Sequence, residues 1–116
     1  MQSARGLPVA AVESVVREGT LRPSELYDLV IPRRTLAHRK QRSRPLTADQ
    51  SDRLTRVVRV VARAEEAIGD VEKARRWLRK PNRGLRGRTP LELLENDVGV
   101  RIVEQTLGRI EHGLGS

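Results

Sequence analysis

Apolar residues recur at helical spacing along most of the chain, and no segment has the strict alternation of a half-buried strand. The apolar positions of the longest segment, which follows Leu46, repeat at i, i+3, i+4 and i+7 as far as Ile68. The predicted helices cover about residues 8–18, from 23 to the turn before Pro32, 32–42, 47–68, 70–79, from 90 to about 96, and 98–112. The sequence therefore predicts an all-α fold.

Local signals mark where several of these helices begin. Pro23 suits the first position of a helix, where an amide hydrogen has no partner within the helix. Thr47 with Gln50, and Thr89 with Glu92, have the spacing of a capping box, in which each side chain bonds the other residue's amide. These residues predict helix starts near residues 23, 47 and 90.

Positive charge is concentrated in two blocks. The chain of 116 residues carries 23 Lys and Arg against 15 Asp and Glu, a formal charge of +8. Residues 29–48 contain six of the cations, residues 73–88 contain eight, and neither block contains an acid. Such an excess suggests a polyanionic partner, although net charge also serves solubility. Two blocks indicate two surfaces.

The first block lies on the second of two short helices separated by a three- or four-residue turn, which is the helix-turn-helix pattern. Arginine forks suit guanine and phosphate oxygens, and a threonine hydroxyl or methyl suits either base or backbone. The apolar turn Val30-Ile31-Pro32 stands where such motifs usually have a small residue. The alternative is a solvated basic helix face. The predicted DNA contacts are Arg33, Arg34, Thr35, His38, Arg39 and Arg42.

Catalytic, metal and cofactor sites find no support in the sequence. Cysteine is absent, which excludes disulfides, thiol nucleophiles and Cys-ligated zinc. The two histidines, His38 and His112, lie in opposite halves, and the glycines Gly84 and Gly87 follow no strand. We expect a protein that is not an enzyme and needs no metal or cofactor.

The sequence also bears on assembly and location. No run approaches the ~20 apolar residues of a membrane span, and the start has no apolar signal region, so we expect a cytoplasmic protein without a membrane partner. A chain this short is marginal as a monomer, which favours a homodimer. The long fourth helix has apolar surface to spare for that contact. The predicted dimer contacts are Leu54, Val57, Val58 and Val61.

Four segments together resemble a known family. They are Ser51-Asp52-Arg53-Leu54, Trp77-Leu78 followed by Pro81-Asn82, Thr89-Pro90-Leu91-Glu92-Leu93-Leu94, and Arg109-Ile110-Glu111-His112-Gly113-Leu114. The chain resembles, over roughly residues 20–114, the Xre/MbcA/ParS-type antitoxins of bacterial type II toxin–antitoxin systems, whose partners are RES-domain toxins. The family more often has Tyr or Phe at the position of His112.

The resemblance implies a small N-terminal Xre-like helix-turn-helix in residues 1–45, packed on a C-terminal helical domain in residues 46–116 for toxin binding and dimerisation. It implies binding to the operator of the protein's own operon, and neutralisation of an NAD-degrading RES-domain toxin by occlusion of its active site. The homodimer would then lie within a toxin–antitoxin hetero-oligomer. The implied toxin contacts are Trp77, Leu78, Lys80, Pro81, Asn82, Arg83, Glu111, His112, Gly113 and Leu114.

Residues 77–94 admit two interpretations. Trp and Arg are favoured interface anchors, and a loop held between Pro81 and Pro90 loses little entropy on docking. Trp77 is also the largest side chain available to the core, and both roles are compatible. Two alternatives to an antitoxin remain: a dimeric helix-turn-helix regulator without a toxin partner, and a non-specific nucleic-acid binder.

Overall fold

The computed structural model describes residues 6–115, and the side chains of residues 6–113. Within these residues the chain is helical and contains no strand, as predicted. The helices are α1 (Val9–Arg17), α2 (Pro23–Leu29), α3 (Arg33–Gln41), α4 (Ala48–Ile68), α5 (Val71–Leu78) and α6 (Asp97–Gly115), with 3-10 turns at Arg83–Leu85 and Glu92–Glu95. None of the described helices is long and apolar enough to cross a bilayer.

The predicted capping signals are present as hydrogen bonds. The Thr47 amide donates to Gln50 Oε1 at 2.9 Å and the Gln50 amide to Thr47 Oγ1 at 3.1 Å, which opens α4. The equivalent bonds of Thr89 and Glu92 are 2.8 and 3.1 Å. The second box opens a 3-10 turn rather than an α-helix. The sequence indicated a short helix there, and the type of hydrogen bonding differs because the segment is only four residues long.

The chain divides into two compact units, residues 1–55 and 56–116, and the division falls within α4. The functional boundary at residue 45 stays a prediction. The buried apolar residues of the first unit are Val12, Leu21, Leu26, Leu29, Val30, Ile31, Leu46 and Leu54. Those of the second are Val57, Val60, Val61, Ala64, Ala67, Ala74, Leu78, Leu85, Leu91, Leu94, Val100, Val103 and Leu107.

In the first unit, the segment before α1 is fixed to the start of α4. The Leu7 amide donates to Ser51 Oγ at 2.8 Å, and Leu7 O accepts from the Leu46 amide at 2.9 Å. A Cβ on Gly6 would overlap the Leu46 carbonyl, so this close approach requires glycine. Ser51, which is 7% exposed, thus has a structural role that its place in the family-like segment did not reveal.

In the second unit, ion pairs run along α4 and α6. Arg56 on α4 meets Asp97 at the start of α6 at 2.9 Å, and Arg63 meets Glu111 near its end at 2.6 Å. The apolar face of α4 lies beneath them, with Val57, Val60, Val61 and Ala64 at most 1% exposed. Exposed pairs contribute little stability individually, but their positions fix how the two helices align.

Candidate functional site

Trp77 lies on α5, a helix with a capped start and a buried inner face. Asp70 Oδ1 accepts a hydrogen bond from the Lys73 amide at 2.8 Å and so caps α5. Ala74 and Leu78, four residues apart, are 0% and 1% exposed and form the inner face. Trp77 lies at the edge of that face and is half-buried. Its ring therefore contributes to the core while part of it faces solvent.

The loop after α5 is organised by Asn82. Its carbonyl oxygen accepts from the amides of Leu85 and Gly87, both at 2.9 Å, and its amide donates to Arg88 O at 3.0 Å. Its side-chain Oδ1 accepts from the Gly84 amide at 2.8 Å. Leu85 is buried and holds the loop to the unit. Asn82 therefore shapes the loop from within, with its amide, carbonyl and side-chain oxygen all occupied.

The other predicted toxin contacts near α5 differ in exposure. Leu78 belongs to the core, and its carbonyl accepts from the Leu91 amide at 3.0 Å, which closes the base of the loop. Lys80, Pro81 and Arg83 are exposed, and Asn82 is half-buried. The segment thus presents Trp77 and these exposed residues, while Leu78 holds the segment in place.

The end of α6 carries the second group of predicted contacts. Glu111 accepts from both terminal nitrogens of Arg63, at 2.6 and 3.3 Å. This hydrogen bonding lowers the pKa of the Glu111 carboxyl and raises the pKa of the Arg63 guanidinium. His112 and Gly113 are exposed. The Leu114 side chain lies outside the described residues.

One stretch of α4 supports both groups. Arg63 binds Glu111 of α6, and Glu65, two residues later, lies 3.7 Å from Arg75 of α5. Nothing in the sequence pattern relates Arg63 to a residue 48 positions away. A basic residue on the rim of an amphipathic helix is the only signal, and many residues of this chain share it.

In the first unit, α2 and α3 are joined by a buried turn. Val30 and Ile31 are 2% and 0% exposed, and their amides donate to Leu26 O at 2.9 and 3.1 Å. The apolar turn therefore forms part of the core, which explains why it is not glycine-rich. It fixes α3 with its cationic side outward.

The six predicted DNA contacts on α3 lie mostly at the surface. Arg33, Arg34, His38 and Arg42 are exposed, and Thr35 is half-buried. Arg39 is half-buried and donates from Nη1 to Pro45 O at 3.1 Å, so it also holds the segment after α3. An open cleft is lined by His38, Arg39, Arg42 and Arg44. Arg44, in the same charge block, was not among the predicted contacts.

Lys40 is the cation of α3 that turns away from this group. Its Nζ lies 2.6 Å from Glu13 Oε2 on α1, and this hydrogen bond raises the pKa of Lys40. Its charge is therefore neutralised within the unit, whereas Arg33, Arg34 and Arg42 form no ion pair among the described residues. The free cations of α3 are thus those predicted to meet DNA.

Three of the four predicted dimer contacts are buried within the chain itself. Leu54, Val57 and Val61 are 2%, 0% and 1% exposed, and Val58 is half-buried. Among these four, Val58 is the side chain with surface left for a second copy. The homodimer stays a prediction.

Comparison with known proteins identifies both units of the chain. Residues 1–59 match the family model of the antitoxin Xre-like helix-turn-helix domain, and residues 63–113 match that of the antitoxin Xre/MbcA/ParS C-terminal toxin-binding domain. "Antitoxin Xre" of Pseudomonas putida is 40% identical over 110 residues, which are 95% of this chain and 69% of that protein. The chain belongs to the Xre antitoxin family.

Two further relatives have the same name and match nearly the whole chain. "Antitoxin Xre" of Photorhabdus laumondii is 35% identical, and that of Yersinia enterocolitica is 34% identical, each over 96% of this chain and 76% of the relative. An Xre-type antitoxin, with a helix-turn-helix domain followed by a toxin-binding domain, is what the resemblance indicated. The exposed cations of α3 fall in the first matched region. Trp77, the 82–88 loop and the Arg63–Glu111 pair fall in the second.

Proposed function

We propose that this Xre antitoxin binds a RES-domain, NAD-degrading toxin through residues 63–113 and blocks its active site. The observation that carries the proposal is the match of this region to the toxin-binding domain model, combined with the surface it presents. That surface includes the half-buried Trp77, the rigid loop beyond it, and an α6 end fixed by Arg63. Contact residues held before binding lose little entropy on docking.

The test is co-expression with the product of the adjacent gene. We expect the two proteins to purify as a complex, and we expect the antitoxin to restore both growth and cellular NAD in cells that express the toxin. Trp77→Ala should weaken the complex, because aromatic anchors at the centre of an interface often account for 2 kcal/mol or more, roughly a 30-fold loss of affinity. A matched control is Tyr27→Ala, which removes a half-buried aromatic from the other unit. Growth that stays arrested despite antitoxin expression would refute the proposal.

We also propose that the antitoxin represses its own operon through α3. Arg33 and Arg34 lie in the first turn of α3, where recognition helices meet base edges, and both are exposed. Arg34→Ala and Arg39→Ala should each weaken binding to the promoter fragment upstream of the gene while leaving toxin binding intact. A gel shift with unchanged affinity for both variants would exclude α3 as the reading helix. Both proposed partners, operator DNA and an NAD-consuming enzyme, would be met in the cytoplasm.

A homodimer within the toxin–antitoxin complex completes the proposal. Val58 supports it as a half-buried apolar side chain in the middle of α4. Val58→Glu should shift the molecular mass measured by light scattering towards the monomer if α4 forms the dimer contact. An unchanged mass would place the dimer contact elsewhere or exclude it.

A dimeric regulator without a toxin partner is the alternative. It predicts that Trp77→Ala changes the stability of the protein but that no binding partner can be titrated. The comparisons favour the antitoxin because the second unit matches a toxin-binding domain.

A further inference from the structure

Cations flank Trp77 on its own helix and in the loop that follows. Lys73, Arg76 and Trp77 stand at positions i, i+3 and i+4 of α5 and therefore share one face of that helix. Lys80 lies two residues after the end of the helix. Arg83 is the first residue of the 3-10 turn Arg83–Leu85, and Arg86 is the residue that ends it. We call Trp77 and the five cations that flank it in sequence, namely Lys73, Arg76, Lys80, Arg83 and Arg86, the Trp77 surface.

The five cations of the Trp77 surface are all exposed, and among the described residues their side chains have no hydrogen-bond or ion-pair partner. Neighbouring arginines of the same charge block behave differently. Arg75 lies 3.7 Å from Glu65, and Arg88 lies 3.8 Å from Glu95. Acids are therefore available in this unit, but they neutralise the arginines outside the Trp77 surface and leave the five cations free.

Arg86 occupies a backbone conformation that favours glycine or asparagine. Its φ and ψ are 59° and 35°, in the left-handed region, where a side chain crowds the following carbonyl. The next residue, Gly87, also has a positive φ of 81°. The turn is closed by hydrogen bonds from the amides of Arg86 to Arg83 O and of Gly87 to Asn82 O. Local stability alone would favour a smaller residue at position 86, so a strained arginine points to a role in contact.

We propose that the Trp77 surface is the docking face for an acidic rim on the toxin, with the Trp77 indole entering an apolar recess inside that rim. The proposal rests on the proposed toxin-binding function and adds the chemistry of the partner's surface. A central aromatic anchor, surrounded by contacts that exclude water from it once the partner is bound, is the arrangement in which a few residues provide most of the affinity. Complementary charge around it accelerates association and rejects partners of the wrong sign.

An acidic protein face fits the Trp77 surface better than DNA does. All six residues lie within the region that matches a toxin-binding domain, and the helix-turn-helix domain has its own free cations on α3. The apolar ring of a half-buried indole gains little from contact with duplex phosphates, whereas it suits a recess on a protein. DNA binding by the Trp77 surface is therefore the competing outcome in the experiment.

The experiment measures the affinity of the full chain for the purified product of the adjacent gene at 50–300 mM salt. The variant is Arg76→Gln/Lys80→Gln, and the matched control is Arg17→Gln/Arg22→Gln, which removes two exposed cations from the first unit. Each exposed charge pair is worth roughly a two- to fivefold change in affinity, so the variant should raise Kd roughly 4- to 25-fold at low salt, with the difference shrinking as salt rises. The control should keep the wild-type Kd.

Arg86 provides a second test that separates contact from folding. Arg86→Asn should fold at least as stably as the wild type, because asparagine tolerates the left-handed region, yet it should weaken toxin binding roughly two- to fivefold. Arg86→Lys keeps the charge and should retain most of the affinity. Unchanged toxin affinity in Arg86→Asn would confine Arg86 to the fold and refute its role in contact.

The outcomes separate failure of the proposed docking to an acidic rim from failure of the proposed toxin-binding function. If the wild type forms no complex with the toxin, the proposed function fails. If the wild type binds but Arg76→Gln/Lys80→Gln binds equally well at every salt concentration, only the inference fails. A variant that keeps its toxin affinity but loses retention on the promoter fragment would assign the Trp77 surface to DNA and overturn the proposal.

Discussion

The glycines of α6 allow one substitution to be tested at two sites with opposite expected results. Gly99 is buried in the first turn of α6, and its amide donates to Asn96 Oδ1 at 2.8 Å. A Cβ at Gly99 would overlap the carbonyl oxygen of Leu93 and lie 2.7 Å from its carbon, both backbone atoms of the 3-10 turn Glu92–Glu95. At Gly108, in the interior of the same helix, a Cβ would meet no atom within 4 Å.

The magnitudes follow from these surroundings. Gly108→Ala removes the entropic cost of glycine inside a helix, a gain of about 0.5–1 kcal/mol in the free energy of unfolding. Gly99→Ala forces α6 away from the turn, and overpacking of this kind costs about 1–3 kcal/mol. At roughly 4 °C per kcal/mol for a chain of this size, Gly108→Ala should melt about 2–4 °C above the wild type and Gly99→Ala about 4–12 °C below it.

The assay is thermal unfolding followed by circular dichroism at 222 nm on the full chain. Both glycines lie in the second unit, so the same transition reports both changes. A melting temperature for Gly99→Ala equal to or above that of Gly108→Ala would refute the close packing of α6 against the turn at Leu93.

Three further predictions concern hydrogen bonds. Ser51→Ala should lower the free energy of unfolding by about 1–2 kcal/mol in denaturant titration, because the Leu7 amide loses its acceptor, and full stability would exclude that anchor. Thr89→Ala should cost about 0.5–2 kcal/mol through loss of its cap, with Thr55→Ala, an exposed threonine, as the neutral control. Because Arg63 lowers the pKa of Glu111, their pair should stabilise the fold above the ordinary Glu value of 4.5 and stop doing so as the pH falls through the lowered value. The melting temperature of Arg63→Gln should accordingly lie below that of the wild type at pH 7 and meet it in acid, and a constant difference across pH would contradict this origin.

Most of the helical framework could be predicted because its signals are local. The Thr47–Gln50 box and Pro23 define helix starts by bonds within a single turn, and the structure places helices there. The all-helical class followed from the apolar spacing. The turn at Val30 and Ile31 was predicted by position, but the sequence could not show that it is part of the core.

The properties of the candidate site depend on packing between distant segments, which no local pattern encodes. The family resemblance implied that Asn82 contacts the toxin, which stays a prediction, and the structure adds that its carbonyl and side-chain oxygens organise the loop. Arg63 showed no signal beyond that of a basic residue on the rim of an amphipathic helix, because its partner Glu111 is brought near it only by the packing of α6 on α4. Arg86 and Gly87 form an Arg-Gly pair, which predicts a turn. The pair does not show that Arg86, as well as the glycine, adopts a positive φ.

The valines of α4 show a further limit of sequence patterns. An apolar stripe wider than one helix face suggested a surface left over for a second subunit. The structure buries Val57, Val60 and Val61 within the chain, which leaves Val58 half-buried at the edge of the stripe. A wide apolar stripe indicates that many positions of a helix are buried. It does not show whether the same chain or a second subunit buries them.

The proposed neutralisation of an NAD-degrading toxin by direct binding to this Xre antitoxin can be tested by one titration. Purified toxin, the product of the adjacent gene, is mixed with increasing amounts of the full-length antitoxin, and the rate of NAD loss is measured. We expect the rate to fall to zero at a fixed stoichiometric ratio, and we expect that more of the Trp77→Ala variant is needed to reach the same inhibition. A rate of NAD loss that stays constant at every antitoxin concentration would contradict the claim.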